Sequence, residues 1–157
     1  MPKNKKQRLP VDSVLVRAYE TRDYDALAGI YLRSRQQNFY WQDPDSFEAR
    51  DVDVVLNDDQ IWIATYEALP LGYASLFMAD HFLHHLFVDP LYQGCGIGKR
   101  LLQHVQSILQ QGIYLKCLCA NHAAQAFYLK QGFRILSRGV DSDGDYYLMG
   151  FNLNQTA

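Results

Sequence analysis

The residues of this chain best suited to chemistry run from Leu86 to Leu102. An apolar strand ends at Val88, and a turn passes through Asp89-Pro90. A glycine-rich loop follows from Gln93 to Lys99, and an amphipathic helix begins at Ile97. That order sets bare backbone N–H groups at a helix N-terminus, where they can hold an anion. Gly96 and Gly98 carry no Cβ, so backbone can approach a phosphate and positive φ is allowed. The helix dipole adds a partial positive charge at that end, and Lys99 and Arg100 add full ones. The competing account is an ordinary strand–turn–helix connection.

Two nucleotide motifs can be tested against these letters. The phosphate-binding P-loop asks for G-x-x-x-x-G-K-[ST]. Gly98-Lys99 supplies the GK pair, but Gln93 stands where the first glycine belongs and Arg100 where Ser or Thr belongs. The dinucleotide fingerprint asks for G-x-G-x-x-G. Started at Gly94 it ends on Lys99, and started at Gly96 it ends on Leu101. Both readings fail on named residues.

The elements around the loop follow from periodicity and punctuation. Residues 13–19 read as a first strand. Thr21 is a candidate N-cap for a helix to about Asn38, with Leu27, Ile30, Tyr31 and Ser34 at helical spacing. Asp43-Pro44 breaks the chain, and residues 46–56 suit a short second helix. Ile61–Tyr66 and Tyr73–Met78 form a hairpin across residues 68–72. His81–Val88 is the fourth strand. The helix from Ile97 to Gln111 turns Leu101, Leu102, Val105, Ile108 and Leu109 inward and stops at Gly112. Ile113–Cys119 is a fifth strand, residues 121–131 a helix, and Phe133–Ser137 and Tyr146–Phe151 the last two strands. The order is β-α-α-β-β-β-α-β-α-β-β, a mixed α/β sheet with helices on both faces.

Gln93-x-x-Gly96-x-Gly98 resembles motif A of the GNAT superfamily of acyl-CoA-dependent N-acetyltransferases. Asn121-His122-Ala123-Ala124-Gln125-Ala126-Phe127-Tyr128, closed by Gly132-Phe133, is similar to that family's motif B region. A capped, glycine-stopped helix accounts for part of this second match. It does not account for the pairing with motif A in a matching strand order. The resemblance spans nearly the whole chain. It implies a GNAT fold: a mixed, mostly antiparallel sheet of six or seven strands flanked by helices, with the fourth and fifth strands splayed. It implies one N-acetyltransferase domain over residues 1–157, with residues 1–10 as a flexible tail.

The roles that follow are those the resemblance implies. Acetyl-CoA would lie between the splayed strands as cosubstrate, with no metal. Leu86, Phe87 and Val88 match the strand end that holds pantetheine through backbone groups. Gln93, Gly94, Cys95, Gly96, Ile97, Gly98 and Lys99 match the pyrophosphate loop, and Asn121 a contact to the coenzyme arm. Tyr128 matches the acid that protonates the departing thiolate, a role suited to a phenol with pKa near 10. Where many members carry a glutamate base on the fifth strand, this chain has Lys116. His84 stands where the arylalkylamine acetyltransferases carry a base histidine, and an imidazole suits proton uptake at neutral pH. The alternative is that His84 packs or orders water. Strict alternation puts Phe82, His84, Leu86 and Val88 on one face and His81, Leu83, His85 and Phe87 on the other, unless a bulge intervenes. Direct transfer needs no covalent nucleophile, so Cys95 fills space.

The implied reaction moves an acetyl group from acetyl-CoA to a primary amine of a small molecule, peptide or protein. The other reading is a non-catalytic acyl-CoA sensor with the same fold, supported only by the missing glutamate. Tyr31, Arg35, Tyr40, Trp41, Tyr146 and Tyr147 lie in the segments that set the acceptor.

Composition bounds the rest. The chain has 157 residues, 48% hydrophobic and 20% charged, with a net charge of −2. That suits one globular domain and argues against nucleic acid as a partner. The basic run Lys3–Arg8 has no apolar stretch behind it, and no run approaches membrane-spanning length. Three cysteines give no disulfide framework, and Cys117 and Cys119 lack a second pair at zinc spacing. The setting expected is cytoplasmic, and a homodimer is compatible with the chain.

Overall fold

The computed structural model describes residues 9–38 and 42–153. Expectations for the basic start Lys3–Arg8 and for Tyr40 and Trp41 lie outside those residues. Seven strands make one mixed sheet: β1 (Leu15–Ala18), β2 (Gln60–Tyr66), β3 (Leu69–Phe77), β4 (Phe82–Val88), β5 (Ile113–Leu118), β6 (Arg134–Asp141) and β7 (Gly144–Phe151). Their spatial order is β1-β2-β3-β4-β5-β7-β6. Among the described strands, only β4 and β5 run parallel. Among the described residues they share a single register pair, Phe82↔Tyr114, and a cavity opens between them beyond it.

Helices α1 (Tyr24–Asn38) and α2 (Asp53–Leu56) cover one face, α3 (Ile97–Ile108) and α4 (His122–Lys130) the other. Alternation along β2 serves both layers. Ile61 and Ile63 pack under α1 with Tyr73, while Trp62 and Ala64 pack under α3 with Leu101, Leu102 and Val105. The expected α1 stripe of Leu27, Ile30, Tyr31 and Ser34 is buried throughout.

Several boundaries differ from expectation, each for a local reason. A 3-10 turn at Thr21–Asp23 precedes α1, and Glu20, not Thr21, takes the cap position. Its N–H donates to Asp23 Oδ2 at 2.8 Å, and Arg17 clamps the same carboxylate at 2.7 and 2.8 Å. The β2–β3 turn is Glu67-Ala68, both at positive φ, so Leu69–Gly72 belong to β3. Positive φ at both central positions gives the twist a two-residue hairpin needs. Pro70 is tolerated because a bulge sits at Ala64/Thr65. Helix α3 ends at Ile108, where Leu109 turns extended and buries its side chain, leaving Ile108 39% exposed. The final hairpin is longer than expected, with strands that reach Asp141 and Gly144.

Candidate active site

Helix α1 is latched to the end of β4. Ser34 Oγ–H donates to the Val88 carbonyl at 3.1 Å, and Arg33 Nη2 meets Asp89 Oδ2 at 2.7 Å. The Asp89 N–H donates to the Leu71 carbonyl at 2.7 Å, and Asp89 Oδ1 accepts the Leu91 N–H at 3.2 Å. Asp89 is buried and so fixes where the chain leaves the sheet. Gln93 Nε2 donates back to Val88 O at 3.4 Å. The loop then turns through Gly94 and Gly96, at φ 82° and 83°, and Gly96 is the N-cap of α3. Gly98 lies in the first turn of α3 without positive φ. The first-turn amides of α3 have no intrahelical acceptor and face outward from the helix end. Arg100 turns away, donating to the Val14 carbonyl at 3.2 Å, and does not line the cleft.

That cleft is a cavity of about 780 Å³ between β4 and β5. Its wall includes Leu86, Phe87, Val88, Gln93, Gly94, Gly96, Ile97, Gly98 and Lys99 from the β4 end and loop, and Asn121 and Tyr128 from α4. His84 also lines it. Of the residues assigned to the site from sequence, Cys95 alone is not part of the wall. It packs against the core under α3.

Asn121 caps α4, its Oδ1 accepting the Ala124 N–H at 3.2 Å. Tyr128 stands edge-on to Phe127 and Phe133, with centroids 5.3 and 5.5 Å away. Burial raises its phenol pKa well above the usual value, and the Cys117 thiol adds to the shift. Burial also pushes the Cys117 thiol up to about 11, with Cys119 adding to it. Cys117 is therefore no thiolate nucleophile.

Strict alternation along β4 fails at His84. Ser75 pairs with His85 and Leu76 with Leu83, so His84 is an extra residue. The bulge returns Leu83 and Leu86 to the α3 core together and sends Phe87 to the α1 side. His84 and His85 then differ sharply. His85 stacks on Tyr31 at 5.4 Å, and its Nδ1 lies 3.0 Å from the Tyr73 hydroxyl. Burial, with Arg35 and His84 as positive neighbours, pulls its pKa down to about 3. His84 is 39% exposed, and its Nδ1 lies 2.7 Å from Asp59 Oδ2. Asp59 was not evident from sequence, because no motif links it to a strand 25 residues away.

His81, just before β4, has its Nδ1 3.1 Å from the Gly112 carbonyl, so His81, His84 and His85 have three separate partners. Among the described residues, no three His, Cys, Asp or Glu side chains gather as a metal site would require. Lys116 lines the cavity, 4.5 Å above the Tyr146 ring and 3.8 Å from Asp141 Oδ2. Among the described residues, no helix is long and apolar enough to cross a membrane.

The sheet is open and mixed, split at one parallel pair, with a glycine loop at a helix N-terminus beside the split. The model of the acetyltransferase (GNAT) family matches residues 24–133, and the chain belongs to that family. It is 31% identical over 94 residues to the peptidyl-lysine N-acetyltransferase YjaB of Escherichia coli, a match over 59% of this chain and 62% of that protein. It is 41% identical over 56 residues to the N-alpha-acetyltransferase RimI of Mycobacterium tuberculosis, over 35% of each. The chain thus spans under two thirds of the length of these curated relatives. The PaiA N-acetyltransferase of Thermoplasma acidophilum, solved in complex with coenzyme A, superposes with a TM-score of 0.78 at 20% identity, over 89% of this chain and 99% of that one.

Proposed function

We propose that this chain is a single-domain N-acetyltransferase that moves an acetyl group from acetyl-CoA to a primary amine of a small molecule, peptide or protein. One observation carries the reading: the glycine loop, Asn121, Tyr128 and His84 line a single cavity. The residues fit the donor's diphosphate, because left-handed Gly94 and Gly96 leave the loop amides unobstructed at the start of α3. Gln93 through Lys99, except inward-packed Cys95, would hold it by those amides and by the Lys99 charge. Leu86, Phe87 and Val88 would offer backbone groups to the pantetheine arm. No metal enters the scheme, and three free cysteines suit a reducing, cytoplasmic setting.

When bound, acetyl-CoA supplies the acetyl group as a thioester. His84 Nε2 takes one proton from the acceptor's ammonium, leaving a neutral amine that can attack the thioester carbonyl carbon. Tyr128 gives its proton to sulfur as the carbon–sulfur bond breaks. The amine nitrogen's second proton refills the Tyr128 oxygen, and His84 returns its own to solvent. His85 takes no part as a base, since burial against Tyr31 and Tyr73 pulls its pKa down to about 3 and leaves the ring too weakly basic to hold a proton at neutral pH.

The relatives named above act on lysine side chains and on N-terminal amines, so peptides of both kinds belong in the test. Release of free coenzyme A is measured with acetyl-CoA over lysine peptides, free N-terminal peptides and small aryl and alkyl amines. Turnover on at least one amine is expected. Tight coenzyme A binding with no turnover on any of them would instead make the chain a sensor.

A further inference from the structure

We infer that Asp59 is a positioning residue, fixing the tautomer and direction of His84. The inference rests on the reading above, in which His84 takes the acceptor's proton. Asp59 follows α2, with its N–H donating to the Val55 carbonyl at 3.1 Å, and directly precedes β2. Its side chain is only 2% exposed, yet it reaches across to β4, where its Oδ2 lies 2.7 Å from His84 Nδ1. A carboxylate so far from water needs a partner that brings a proton. A carboxylate only accepts, so Nδ1 must carry the hydrogen, and the ring's lone pair is then on Nε2.

The rest of the ring's surroundings fix its orientation. His84 stacks on Phe77 with centroids 6.1 Å apart and tilts against Phe82 at 5.1 Å. The bulge places this extra residue where the ring can line the cavity while its other nitrogen stays with Asp59. When Nε2 takes a proton, the imidazolium keeps a charged partner at Nδ1 without further rearrangement. A neutral tether would hold the ring but offer no charge to the protonated form.

Two measurements test this. The first needs no acceptor: imidazole ¹⁵N shifts at pH 8, with the His84 signal assigned by its loss in His84→Ala. Wild type is expected to show protonated Nδ1 and unprotonated Nε2, and Asp59→Asn to shift His84 toward the Nε2–H form. An Nε2–H ring in the wild type, or an unchanged tautomer in Asp59→Asn, overturns the inference.

The second measures kcat and acceptor KM with the blocked peptide acetyl-Gly-Lys-Gly-amide, or with the best amine of the panel above. Asp59→Asn is expected to lower kcat roughly tenfold or more, with KM little changed and partial recovery in Asp59→Glu. Added to His84→Ala, it should cost nothing further, because its effect passes through that ring. A further loss in the double variant means Asp59 acts by another route and sinks the inference. Wild-type kcat in His84→Ala sinks the base reading itself. A slow His84→Ala beside a fast Asp59→Asn sinks only the role of Asp59.

Discussion

Tyr128 keeps its proton at neutral pH as any phenol does, and burial raises its pKa further, so in the proposed reading it meets sulfur as an acid. Tyr128→Phe is expected to lower kcat by roughly 10²- to 10⁴-fold, with coenzyme A affinity by calorimetry nearly unchanged. A kcat at the wild-type level would remove Tyr128 from the chemistry. His85 titrates in the opposite sense. Folded, its pKa is about 3, below the roughly 6.5 of an unfolded histidine. The unfolded chain therefore binds more protons, so this contribution to stability is whole above pH 6.5 and drains away as pH falls toward 3. By pH 4.5 the loss amounts to at most roughly 3 kcal/mol. Replacing His85 by Gln should flatten the fall of Tm between pH 6.5 and 4, and an equally steep fall in that variant would refute the assignment. Which of the two adjacent histidines faces solvent could not be read from the letters. Period-two alternation carries no mark of an inserted residue, and the bulge at His84 is set by pairing with β3.

At the scale of elements, α3 carries a face of the core and, in the proposed reading, the anion cradle. Its inner face includes Leu101, Leu102 and Val105, buried as expected because helical periodicity is local, whereas Ile108, expected inside, is exposed. The cradle's Gly96, at φ 83°, holds a conformation that costs an L-residue roughly 1–2 kcal/mol. Gly96→Ala should lower unfolding free energy in urea by about that amount and weaken coenzyme A binding in the same protein. Full affinity in that variant would mean the diphosphate does not depend on this turn. The family-like loop and the capped α4 were legible for the same reason, since their spacing is short. The Glu67-Ala68 turn was not, because neither residue is a usual left-handed former. The early end of α3 was not either: burying Leu109 outweighs one more helical turn, and only the packed sheet decides that.

At the scale of the molecule, the sheet is two blocks, β1–β4 and β5–β7, joined at one register pair. A ligand lodged between them ties the blocks together. Coenzyme A at a hundred times its Kd should add about 2.7 kcal/mol to stability, and hydrogen exchange should slow in β4 and β5 together. Protection confined to the glycine loop would mean that the ligand does not reach the split. Most sheets hide their unpaired strand edges at the periphery, but this one opens two in its middle. Such edges are templates for any passing strand. The two open edges are therefore an internal site for β-sheet misassociation, and in the proposed reading a bound coenzyme A would cover them. Aggregation on concentration should fall as coenzyme A is added, with light scattering as the measure.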